Sequence, residues 1–150
     1  MIDIIINQTL STLRRGGTIL YPTDTIWGIG CDATNTQAIE KIYSIKQRDI
    51  NKSMLILCSS LDQVKEYVNN IPDIVPTLLN ESQHPTTIIY PNACNLPNTL
   101  TAADGSIGIR IPDMDFCKEL LIRFGKPIVS TSANFSGMPS PNCYNDIPQQ

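Results

Sequence analysis

Lys46, Gln47 and Arg48 place two cations one residue apart, at the end of a segment whose apolar residues recur with helical spacing. Such a pair can hold phosphate oxygens, the guanidinium as a planar fork and the ammonium as a point charge, with Lys52 adding to the same field. Cations at a helix C-terminus are also favoured by the macrodipole alone, so the pair by itself leaves both readings open. Arg110 interrupts the apolar run Ile107-Gly108-Ile109-Arg110-Ile111. A cation in such a strand needs a partner, either the carboxylate of a ligand or a structural ion pair. Gly108 leaves room for a ligand to approach the backbone. Ser130-Thr131-Ser132-Ala133-Asn134, with Ser136-Gly137 behind it, offers hydroxyls, an amide and turn backbone donors. These suit phosphate, or the ammonium and carboxylate of an amino acid, although Ser and Asn are also ordinary turn formers. In Pro22-Thr23-Asp24-Thr25 the polar side chains could bind a metal or a substrate, or hydrogen-bond their own loop.

Several chemistries are disfavoured. His84 is the one histidine, and no G-x-S-x-G elbow surrounds a serine, so a Ser-His triad is not expected and Ser132 is a weak candidate nucleophile. Neither G-x-x-x-x-G-K-[ST] nor G-x-G-x-x-G occurs. The five cysteines, Cys31, Cys58, Cys94, Cys117 and Cys143, form no CxxC pair, which points to reduced, mostly buried thiols rather than a zinc site or a disulfide framework. No metal-binding residues are assigned. Trp27 reads as core or pocket wall, and His84 before Pro85 as a loop residue.

The elements that must carry these groups alternate. Ile2, Ile5, Ile6, Leu10 and Leu13 share helical spacing, ended by Gly16-Gly17. Thr18 to Tyr21 is a β-prone run, and Trp27 to Cys31 a strand or its exit loop. A helix capped by Asn35 or Thr36 buries Ala38, Ile39, Ile42, Tyr43 and Ile45. Met54 to Cys58 has the length of a buried strand, Ser60 to Gln63 looks like a capping box, and Ile74 to Leu79 a further helix with Pro76 in its first turn. Strands are expected at Thr86 to Tyr90, Ile107 to Ile111 and Pro127 to Ser130, and a helix at Asp115 to Phe124 closed by Gly125. Residues 91–104 and everything from Ser136 on read as irregular. Apolar strands alternating with helices argue for a layered α/β fold, parallel or mixed, with the polar segments at strand ends where such folds place ligands.

A chain of 150 residues with 41% hydrophobic and 17% charged residues suits one folded domain, and eleven prolines suit shaped loops. Its net charge of −3 argues against a general nucleic-acid binder, while a local basic groove stays open. The N-terminus lacks the basic start of a signal peptide, and no apolar run is long enough to span a membrane, so the cytoplasm is the expected compartment.

Taken in order, four segments resemble the YrdC-type threonylcarbamoyl-AMP synthase family. They are Tyr21-Pro22-Thr23-Asp24-Thr25-Ile26-Trp27-Gly28, Lys46-Gln47-Arg48, Ser106-Ile107-Gly108-Ile109-Arg110-Ile111-Pro112, and Pro127 to Asn134 with Ser136-Gly137. The resemblance implies an α/β (α+β-like) fold, a twisted mixed sheet with helices on its faces and a large concave ligand cleft, as one YrdC-like domain over 1–150. It implies a nucleotidyltransferase that joins L-threonine, bicarbonate and ATP into threonylcarbamoyl-AMP, with release of pyrophosphate, for threonylcarbamoyladenosine modification of tRNA. On the matching positions it implies L-threonine contacts at Thr25, Arg110 and Ser130. ATP contacts would be Arg48, Lys52, Ser106, Ser132 and Ser140, and Lys46, Arg48, Ser132 and Asn134 would carry the family's catalytic KxR and SxN signature. Mg²⁺ is expected with the ATP, and tRNA or tRNA-modifying proteins are expected partners. Three features depart from the family pattern. Trp27 stands where Tyr is usual, Ser82-Gln83-His84-Pro85-Thr86-Thr87 replaces Trp-Pro-Gly-Pro-x-Thr, and the chain stops at Gln150, where the family continues into a further segment, so a C-terminally truncated domain is expected. The competing expectations are a non-catalytic RNA-binding module in translation, and a carbamoyl-adenylate enzyme with another acceptor.

Overall fold

The computed structural model describes residues 1–47, 54–134, 145 and 147. Along the chain these form α1 (Ile2–Arg14), β1 (Ile19–Pro22), β2 (Trp27–Gly30), α2 (Thr36–Lys46), β3 (Leu55–Leu57), α3 (Leu61–Val64), α4 (Val75–Glu81), β4 (Thr87–Tyr90), β5 (Ile107–Arg110), α5 (Asp115–Phe124) and β6 (Ile128–Ser132). The strands join in one sheet, in the order β1-β2-β6-β3-β5-β4. β3 and β5 run parallel and the other neighbours antiparallel, so the sheet is mixed.

Alternation along the strands sends side chains to two faces. On one face Ile56, Ile107, Ile109 and Val129 pack with Ala38, Ile39, Ile42 and Tyr43 of α2 in the larger core. On the other, Leu57 and Ile128 meet Ile6, Leu10 and Leu13 of α1 and Cys117, Leu120, Leu121 and Phe124 of α5. Burying each Ile, Leu, Val or Phe among them contributes roughly 1.5–3 kcal/mol. The pairings Leu55 with Ser130 and Gly28 with Ser132 put those residues on this second face, beyond the part that α1 and α5 cover. Gly108, Arg110 and Thr87 share it, since Thr87 pairs with Arg110 across β4 and β5. One face of the sheet is therefore half apolar core and half polar floor.

Local signals hold in most places. Asn35 caps α2, its side chain accepting from the Ala38 N–H at 3.1 Å. Gly125 closes α5 in the left-handed region at φ 78°. Pro76 sits in the first turn of α4. The capping box is only half formed, because Gln63 Oε1 accepts from the N–H of Ser59 (2.7 Å) rather than of Ser60. α1 forms where the spacing places it and buries only the narrow Ile6-Leu10-Leu13 stripe, leaving Ile2 and Ile5 58% and 46% exposed. Two expectations need correcting. Ile45 is 46% exposed, because the buried phase of α2 runs through 38, 39, 42 and 43 to Lys46. The last strand runs on to Ser132, so much of the expected turn is strand backbone.

Cys31, Cys58 and Cys117 are buried, and burial pushes each thiol up to about 12. In the unfolded chain these thiols ionise near pH 9, whereas in the folded one they stay protonated to about 12, so stability falls as pH rises from 9 towards 12. The slope is at most about 1.4 kcal/mol per thiol per pH unit. Urea unfolding from pH 8 to 11 checks this, and Cys31→Ala, Cys58→Ala and Cys117→Ala should each flatten the decline.

Candidate active site

The buried phase of α2 ends on a charge. Lys46 is 1% exposed, and its ammonium donates to Thr131 Oγ1 (2.6 Å), the Ser132 carbonyl (2.8 Å), Ser132 Oγ (3.3 Å) and Asn134 Oδ1 (3.5 Å). Ser132 Oγ in turn donates to Asn134 Oδ1. A buried ammonium is tolerated when oxygens replace its water, and these do so from the end of β6. Helix α2 thus ties down the strand end from below, fixing the direction of the Ser132 hydroxyl. The dipole reading of Lys46 does not account for this geometry; the side chain crosses to β6 rather than folding back on its own helix.

At the end of β5, Arg110 lies over the polar floor. Nε and Nη2 donate to Thr87 Oγ1 at 3.0 and 2.9 Å, and Nη1 donates to Thr25 Oγ1 at 3.1 Å. Asp24 Oδ1 lies 3.9 Å from Nη1, a long ion pair. Of the two expected partners, the fold therefore supplies mainly neutral hydroxyls, with the carboxylate at a distance. These contacts use three of the five guanidinium N–H groups, which leaves two donors for an acceptor from outside. The Thr23-Asp24-Thr25 turn is built by its own hydrogen bonds, Thr23 Oγ1 donating to the Ile26 carbonyl at 2.6 Å and accepting from the N–H groups of Thr25 and Ile26.

Between these clusters the floor forms a hollow of about 520 Å³, lined by Met54, Leu55, Thr87, Ile89, Ser106, Gly108, Ser130 and Ser132 among others. Glycine keeps the floor low. A Cβ at Gly28 would stand 3.3 Å from the Thr131 carbonyl and 3.6 Å from Ser130 Oγ, and one at Gly108 would stand 3.3 Å from the Thr87 methyl. Ser106 is aimed by Asp104, whose Oδ1 accepts from its hydroxyl (2.6 Å) and N–H (3.0 Å), and these bonds hold the Asp104 carboxyl below its usual range. Thr87 both lines the hollow and holds Arg110; Ser132 both lines it and is held by Lys46. Two cations from different elements thus serve one hydroxyl-lined space, suited to phosphate and carboxylate oxygens.

Thr25, Lys46, Ser106, Arg110, Ser130, Ser132 and Asn134 all fall in or around this region. Arg48, Lys52 and Ser140 lie outside the described residues. Thr87 and Thr131 were not singled out from the sequence, although each anchors a cation. Thr131 lies within the Ser130-Thr131-Ser132-Ala133-Asn134 run, and its role shows only once α2 is packed under β6. Ser82 to Thr86, which departs from the family pattern, lines a second hollow of about 610 Å³ with Leu79, Ile111, Asp113 and Asp24, and Asp24 stands between that hollow and Arg110. Among the described residues no group of three His, Cys, Asp or Glu side chains could hold a metal ion.

The family model Sua5/YciO/YrdC, described as telomere recombination, matches residues 11–150. A threonylcarbamoyl-AMP synthase of Vibrio parahaemolyticus is 33% identical over 146 residues, covering 95% of this chain and 79% of its own. One of Pseudoalteromonas translucida is 37% identical over 135 residues, covering 88% and 72%. Among solved structures, P. abyssi Sua5 complexed with L-threonine superposes with a TM-score of 0.84 at 25% identity, over 95% of this chain and 45% of that one. This chain thus spans less than half the length of that Sua5 and about four-fifths of the Vibrio synthase. With the hydroxyl-lined hollow on a mixed sheet and the matching run from residue 11 onward, the chain belongs to the Sua5/YciO/YrdC family.

Proposed function

We infer that this chain is a threonylcarbamoyl-AMP synthase, converting L-threonine, bicarbonate and ATP into threonylcarbamoyl-AMP, pyrophosphate and water. The observation that carries the reading is the pairing of Arg110, with free donors over the floor, and the Lys46-tethered Ser132 beside the same hollow. The relatives' names and the P. abyssi complex supply the identity of the acceptor.

The amino-acid carboxylate takes the two outward donors of Arg110, with Thr25 and Ser130 bordering it. The triphosphate lies over Ser106 and Ser132, and Arg48, Lys52 and Ser140 complete its contacts. The amine attacks the bicarbonate carbon and a C–O bond breaks with loss of water; a carbamate oxygen then attacks the α-phosphorus and the bond to the pyrophosphate oxygen breaks, carrying its electron pair to the departing pyrophosphate. No covalent link to the protein is needed. What the chain supplies is placement, keeping two anions side by side, and fixed positive charge where negative charge grows. Lys46 acts at one remove, as a positioning residue for Ser132 and Asn134. Among the described residues no three His, Cys, Asp or Glu side chains group to hold an ion; Mg²⁺ would be carried by the triphosphate oxygens and would offset their charge. The cytoplasm, tRNA and the enzymes that consume the product complete the proposal. No helix among the described residues is long and apolar enough to cross a membrane.

Mixing the purified protein with ATP, Mg²⁺, bicarbonate and single amino acids, and measuring pyrophosphate, tests the reading. Release that depends on L-threonine and bicarbonate is expected. Release with no preference for threonine would transfer the chain to another acceptor, and binding of tRNA without any release would favour the RNA-binding module.

A further inference from the structure

Resting on the synthase reading, we propose that Asp24 binds the amino group of the amino-acid substrate, opposite the carboxylate held by Arg110. Among the described residues, Asp24 Oδ1 is a buried oxygen with no hydrogen-bond partner. Buried carboxylate oxygens are costly without a donor, and one left unpartnered beside a binding residue asks for a donor from outside. Its aim is set by its twin: Oδ2 accepts from the Asp113 N–H at 3.2 Å, which turns Oδ1 towards Arg110. The 3.9 Å between Oδ1 and Nη1 is too long for a hydrogen bond and leaves the carboxylate and the guanidinium as neighbouring, opposite charges. An α-amino acid carries the matching pair, a carboxylate and an ammonium on one carbon. Laid across the two side chains, it gives Arg110 its acceptor and Asp24 its donor at once. The side chains of Asp24 and Arg110 are 13% and 16% exposed, so water screens this exchange only weakly. The pair therefore selects α-amino acids over hydroxy acids or simple carboxylates, whatever the side-chain contacts add.

Calorimetric titration of the wild type and Asp24→Asn with L-threonine and with 3-hydroxybutanoate, which keeps the carboxylate and hydroxyl but has no amine, tests this. The wild type should prefer L-threonine by roughly tenfold or more, and D24N should lose roughly 10- to 100-fold in threonine affinity while binding 3-hydroxybutanoate as the wild type does. If D24N is too unstable to titrate, Asp24→Glu, which keeps the charge but displaces the oxygen, should show the same selective loss. Equal threonine affinity in wild type and variant overturns the assignment of Asp24 alone, as does an equal loss for both ligands, which marks a structural role. A wild type that binds no threonine at all overturns the synthase reading itself.

Discussion

Lys46→Met should lose turnover by roughly 100- to 1,000-fold or more and lower stability by about 2–4 kcal/mol. Methionine fills nearly the same volume, so packing in the α2 core survives and the loss isolates the ammonium. What goes with it is the set of bonds to Thr131 Oγ1, the Ser132 carbonyl, Ser132 Oγ and Asn134 Oδ1. The ammonium itself sits in a nearly water-free place, since Lys46 is 1% exposed and Asn134 9%. The Ser132 carbonyl keeps the Asn134 N–H and Asn134 Oδ1 keeps the Ser132 hydroxyl, but Thr131 Oγ1 and Ser132 Oγ lose the ammonium; stability falls, and the end of β6 gains freedom to turn Ser132 out of the hollow. Urea unfolding and pyrophosphate release, measured on the same preparation, separate the two effects. A variant that keeps more than a tenth of wild-type turnover would show that the strand end needs no tether.

Arg110→Lys should raise the KM for L-threonine by roughly 10- to 100-fold while the KM for ATP stays within about twofold. Charge is conserved in this exchange; geometry is not. A lysine ammonium has three donors, and bonds to Thr87 and Thr25 would consume most of them, whereas the guanidinium satisfies both threonines and keeps two donors for a carboxylate. Steady-state kinetics with each substrate varied in turn checks the split. A matching rise in both KM values would mean that Arg110 serves the triphosphate instead.

Much of this was legible along the chain, for reasons that can be named. Helical spacing located α1, α2 and α5, and short apolar runs located β3, β4, β5 and β6, because burial on both sheet faces demands such runs. Lys46 follows 38, 39, 42 and 43 in the buried phase of α2, so its inward direction was readable, although a cation at a helix end invites the dipole account first. Hidden from local reading were the partners. Thr87 meets Arg110 through the register of β4 with β5, across a long irregular connection whose turns do not fix pairing. The central place of β6, between β2 and β3, inserts the last strand of the chain between its second and third, and only tertiary packing decides that. The same packing leaves Asp24 Oδ1 buried beside Arg110, which no spacing rule conveys. The acceptor, too, was readable only through family resemblance, since hydroxyls and a guanidinium describe an anion site and not its occupant.

A structure of this chain with L-threonine and a non-hydrolysable ATP analogue bound together bears most directly on whether one hollow serves both substrates. The threonine carboxylate should rest on Arg110, its amine on Asp24, and the α-phosphate beside Ser132 over the Gly28 and Gly108 floor. An analogue seated on the opposite face of the sheet, or a threonine distant from Arg110, would contradict it.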